Sequence, residues 1–113
     1  MKITVKDLQE KLVLKALTET PYAQTEVNDM YIGDLLSWVM SRAKEGNVWV
    51  TIQGHINIVA VAVLTGVSCI IAAEGAPVDA DTISKANSEG IVIFTSKLTS
   101  FQLARRFAEI SAE

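Results

Sequence analysis

A chain of 113 residues, 50% hydrophobic and 20% charged with a net charge of −3, has the size and composition of one globular domain. That balance leaves no basic stripe for nucleic acid, and the longest apolar run, residues 56–64 broken only by Asn57, is about half of what a membrane helix needs. One cysteine and one histidine exclude an internal disulfide framework and a closed zinc site, and the start Met1-Lys2-Ile3-Thr4-Val5-Lys6-Asp7 has no apolar secretory core, so the expected location is the cytoplasm.

Residues 1–5 suit a short extended segment. Val5, Leu8, Leu12 and Val13 fall at helical spacing, which predicts an amphipathic helix with Asp7 placed for the helix dipole. Residues 15–18 read as a strand, and 19–26 as a polar loop in which Pro21 cannot donate to a ladder. A second strand is predicted over 27–32, closed by Gly33-Asp34. Asp34 is then the expected N-cap of a helix carrying Leu35, Leu36, Trp38, Val39, Met40 and Ala43, and Glu45-Gly46-Asn47 ends it.

From here β-branched runs alternate with helix signals. Strands are expected over 48–53, 68–73 and 91–95, ending at Gln53-Gly54-His55, Ala73-Glu74-Gly75 and Thr95-Ser96. The segment 55–64 is ambiguous, because its Ile and Val content also suits a strand paired back through a Gly54-His55 turn. Ala60, Ala62 and Leu64, with Gly66 at a C′ position and a fresh strand at once after it, favour a helix. Asp79 and Asp81 open a helix to Glu89-Gly90, and Thr99 with Gln102 forms a capping box for a last helix through Leu103, Phe107 and Ile110. The alternation predicts a three-layer α/β/α fold with a mostly parallel sheet, as a single domain over 1–113.

Ligands of open parallel sheets sit outside the carboxyl ends of the strands. The candidate ligand-binding residues are therefore Gly33, Asp34, Gln53, Gly54, His55, Asn57, Glu74 and Gly75. His55 sits at a strand-to-helix junction, where backbone N–H groups hold an anion and an imidazole adds a donor; with Asn57 it equally suits a plain solvent-facing cap. Asp34 and Glu74 offer an acid/base pairing with His55, which makes a small enzyme the alternative reading. No catalytic motif is present, and none of the six glycines belongs to a Gly-x-x-x-x-Gly-Lys-Ser/Thr loop. No catalytic residue, cofactor or metal is therefore assigned. Thr95 and Ser96 suit an oxyanion or an ordinary turn, Arg105 and Arg106 a solvated helix side, and Cys69 a small buried hydrophobe.

The 55–64 helix is apolar all round, with Ile56, Val59, Ala60 and Val63 on one face and Ile58, Val61, Ala62 and Thr65 on another. Only one face can lie on the sheet, so the other predicts a partner. The expected contact is a homodimer through Ile58, Val61 and Ala62, extended by Trp38. Cover by the loop 19–26 is the competing expectation. An adaptor serving a larger metabolic or redox complex is a third reading of the same surface.

The strand Val48-Trp49-Val50-Thr51-Ile52, the apolar helix 56–64, Cys69-Ile70-Ile71 ending at Glu74-Gly75, the helix from Asp79, Gly90-Ile91-Val92-Ile93 and Thr99-Ser100-Phe101-Gln102-Leu103 follow in an order that resembles the DRTGG domain. That module occurs between CBS or transferase domains in some bacterial enzymes and is related to the amino-terminal domain of HPr kinase/phosphorylase. The family's Asp-Arg pair falls where this chain has Gly54-His55, and its Thr-Gly-Gly where it has Ala73-Glu74-Gly75, so only the last glycine is kept. The resemblance implies an accessory regulatory module, since the kinase chemistry of HPr kinase lies in a separate domain. The leading expectation is a non-enzymatic regulatory or scaffolding homodimer that senses a small anionic, nucleotide-like ligand at the strand ends.

Overall fold

A computed structural model describes residues 2–112. A short strand, β1 (Ile3–Thr4), runs straight into helix α1 (Val5–Leu12). The junction is a reciprocal capping box: the Asp7 N–H donates to the Thr4 hydroxyl at 3.1 Å and the Thr4 N–H to the Asp7 carboxylate at 3.0 Å. These two bonds, the backbone one first, hold the Asp7 carboxyl below its ordinary value. Val13 ends α1 in the left-handed region at φ 54°, and the chain turns into β2 (Lys15–Ala16). This strand is shorter than the expected 15–18 because the Thr18 hydroxyl, not a backbone carbonyl, accepts the Ile93 N–H.

The strand expected over 27–32 divides at Asn28 into β3 (Glu26–Val27), antiparallel to β1, and β4 (Asp29–Ile32), which belongs to the main sheet. Asn28 causes the break. Its N–H donates to Gly46 O, its side-chain amide to Glu45 O, and its Oδ1 accepts from Asn47. Then come α2 (Leu36–Arg42), β5 (Asn47–Thr51), α3 (Asn57–Thr65), β6 (Cys69–Ala72), α4 (Ala80–Glu89), β7 (Ile93–Thr95) and α5 (Ser100–Ser111). The ambiguous segment is a helix, stopped by Gly66 at φ 76°. β7 starts later than the expected 91, since the Ile91 N–H is still held by Ala86 O at the end of α4. The Thr99–Gln102 capping box forms at the start of α5.

The main sheet has the order β2-β7-β6-β5-β4, parallel throughout except for β2. Alternation along the strands sorts the core into two sides. Val48, Val50, Cys69, Ile71 and Phe94 meet Leu8 of α1 and Leu103 and Phe107 of α5, while Trp49, Ile70 and Ile93 meet Val39 of α2, Ile58 and Val59 of α3 and Ala86 of α4. The result is the three-layer α/β/α arrangement. Side chains as deeply buried as Phe94 and Leu103 each contribute roughly 1.5–3 kcal/mol. Burial also pushes the Cys69 thiol well above its ordinary value, which makes it a packing group.

Helix α3 requires a correction. Ile58, Val61 and Ala62, expected on the dimer surface, are 0%, 5% and 1% exposed within the chain itself. The reason is that α2 and α4 pack on the two flanks of α3, so the covered arc is wider than the sheet alone provides. Ala60, Val63 and Leu64 are what α3 shows outward. The loop after β2 goes elsewhere, since the Tyr22 ring stands edge-on to Phe94 at 5.2 Å in the α1/α5 core.

Candidate functional site

The ends of β4 and β5 form a closed hydrogen-bonded corner. The Gly33 N–H donates to Val50 O at 3.1 Å and the Trp49 indole N–H to Gly33 O at 2.9 Å. Asp34 does not cap α2. Its Oδ1 accepts from the Thr51 hydroxyl at 2.8 Å and the Ile52 N–H at 2.9 Å, and Leu35 occupies the N-cap without a side-chain bond. Two donors converging on one carboxylate oxygen are charge-assisted and win over a cap. The Gln53 amide then donates to Asp34 O at 3.0 Å.

Gly54 follows, pressed against the loop before α4. A Cβ there would overlap the Pro77 carbonyl, while Gly54 O accepts from the Asp79 N–H at 3.1 Å and the Thr82 hydroxyl at 2.8 Å. His55 is exposed, and its Nδ1 accepts the Asn57 N–H at 3.2 Å, a local cap on the start of α3. Among the described residues it has no hydrogen bond to a carboxylate. The structure therefore brings Gly33, Asp34 and Gln53 together, with Gly54, His55 and Asn57 next along the chain. Glu74 and Gly75 belong to another corner: the Glu74 N–H donates to Leu98 O at 2.9 Å and the Gly75 N–H to Ser96 O at 2.8 Å.

That second corner opens into a cavity of about 560 Å³ between the end of α1, β2 and α5. Three cations, Lys15, Lys97 and Arg106, line it with Thr95 and Ser96, and Leu12, Val13 and Leu98 supply apolar wall. Lys15 and Lys97 carry no signal in the sequence as site residues, and Arg106 reads there as a solvated helix side. A separate groove of about 420 Å³ lies between α3 and α4, formed by Val59, Ala60, Val63 and Leu64 and edged by the Lys85–Glu89 ion pair at 3.4 Å. No helix among the described residues is long and apolar enough to cross a membrane.

No protein-family model matches the chain, and no curated protein matches it. Among solved structures it is similar to the CBS and DRTGG domains of the regulatory region of a Clostridium perfringens pyrophosphatase, solved with its activator, diadenosine tetraphosphate. The TM-score is 0.68 at 17% identity, over 90% of this chain and 44% of that one. This chain thus spans under half the length of that neighbour. The likeness is one of fold, and it supports the DRTGG resemblance.

Proposed function

We propose that the chain is a regulatory, non-catalytic module that takes a small anionic, nucleotide-like ligand at the carboxyl edge of its sheet and pairs with a second copy. The observation that carries this reading is the fold shared with a regulatory region solved with a dinucleotide activator, in a sheet whose carboxyl ends are the usual docking edge of open α/β folds. The ligand edge runs along Gly33, Asp34, Gln53, Gly54, His55, Asn57, Glu74 and Gly75. The enzyme alternative is weaker, because general acid/base work needs a partnered group within reach of substrate, and the Nδ1 of His55 is engaged by its own helix.

Self-association is supported by the outer side of the α2–α4 layer. Trp38 is 54% exposed, with Arg42 stacked 3.8 Å over its ring, and Leu64 is 70% exposed beside Val63. Apolar side chains presented this way mark an interaction face. The same face suits a heterologous partner, in which case the pure chain sediments as a monomer.

Two measurements test the reading. A thermal-shift screen with nucleotides should raise the melting temperature, because a ligand at 100 times its Kd adds about 2.7 kcal/mol to the folded state; no shift with any nucleotide overturns the ligand reading. In sedimentation, wild type should be a dimer that Leu64→Asp splits while the fold is kept, whereas Val61→Asp should unfold the chain by burying a charge. A monomeric wild type removes the homodimer.

A further inference from the structure

The corner after β7 holds charges that the fold does not use. Among the described residues no ion pair joins Lys15, Lys97 or Arg106 to a carboxylate, and no carboxylate lines the cavity they share. In a chain of net charge −3 this is a local reversal of sign. Like charges gathered on one concave surface repel one another and are relieved by an anion.

Long-range pairing assembles the three cations. The antiparallel register of β2 and β7 sets Lys15 opposite Thr95, Lys97 follows in the next loop, and Arg106 comes from α5. Topology supplies the opening. β6 leads to α4 in one outer layer and β7 leads to α5 in the other, so the loops after these neighbouring strands leave on opposite sides of the sheet. That divergence is the switch point at which open α/β sheets form their ligand crevices. The bonds from Glu74 and Gly75 to Leu98 and Ser96 fix its floor, and Gly75 places no side chain in it.

We propose that this groove binds a phosphorylated small molecule carrying two or more phosphate charges. The Arg106 fork matches phosphate oxygens in pairs, Lys15 and Lys97 act as point charges, and Leu12, Val13 and Leu98 take the uncharged part. A cavity of about 560 Å³ is of ligand size. The inference rests on the ligand-sensing reading above and places the anion at the β7 corner of that edge.

The test is calorimetric titration of the full chain with sodium pyrophosphate and with ATP. Wild type should bind, more weakly as salt rises. Lys97→Ala and Arg106→Ala should each weaken binding about tenfold, the effect of losing one charge-assisted hydrogen bond, and the double variant should abolish it, with circular dichroism showing the fold intact. Lys44→Ala, which removes an exposed cation from the loop before β5, should bind like wild type. Retention of binding by the double variant overturns the assignment, as does an equal loss in Lys44→Ala. Failure of wild type to bind either probe also overturns it, and the ligand-sensing reading then stands or falls separately on whether any other nucleotide shifts the melting temperature.

Discussion

Two corners of one sheet edge are built on opposite terms. After β4 and β5 the polar groups answer one another: the Asp34 carboxylate accepts from the Thr51 hydroxyl and the Ile52 N–H, the Gln53 amide donates to the Asp34 carbonyl, and the Gly54 carbonyl accepts from Asp79 and Thr82. After β7 the backbone is tied down just as firmly, through Glu74 and Gly75, yet among the described residues the charged side chains over it have no carboxylate partner. Satisfied polar groups hold a shape, and unsatisfied ones at the mouth of a cavity are what a ligand can still improve. Position at the carboxyl edge is common to both corners, so charge pairing is what differs between them.

If the first corner is structural, breaking it should cost stability. The largest effect is expected at Gly54, where Ala would drive a methyl into the Pro77 carbonyl and should destabilise the chain by about 3 kcal/mol, the scale of an overpacked site. Chemical denaturation measures this, and a cost below about 1 kcal/mol would mean that the loop before α4 yields freely. Thr51→Val removes the buried hydroxyl that donates to Asp34 and should cost about 1.5 kcal/mol, as for a hydrogen bond to a charged group. If the valine protein unfolds at the wild-type midpoint, the corner is not held by that bond.

The smallest effect on stability is expected at the second corner. Lys97→Ala with Arg106→Ala removes cations that form no ion pair among the described residues, so stability should change by no more than about 0.5 kcal/mol. A clear loss in the same denaturation experiment would show that these residues serve the fold, and the contrast between the corners would collapse.

Much of the architecture is legible in the chain because its causes are local. The Thr99–Gln102 box, the glycine that stops α3 and the β-branched runs of β5 and β6 act within a few residues of themselves, so their pattern survives without knowledge of the neighbours. The strand expected over 27–32 divides for the complementary reason: Asn28 is broken out of it by a turn 17 residues further on. Asp34 has the local features of an N-cap, but its carboxylate found better donors at the end of β5 and just after it. Ile58, Val61 and Ala62 lie on an all-apolar helix whose periodicity cannot say how many elements flank it.

The sequence by itself determined most of the elements, their order, the layered α/β/α class and the edge at which strand ends gather, since each follows from short-range periodicity, capping and turn chemistry. Tertiary structure alone decided which polar residues partner one another, which face of α3 is enclosed, and that Lys15, Lys97 and Arg106 share one cavity. Those outcomes depend on strand register and on which helices become neighbours, and segments separated by most of the chain meet only when the sheet is assembled.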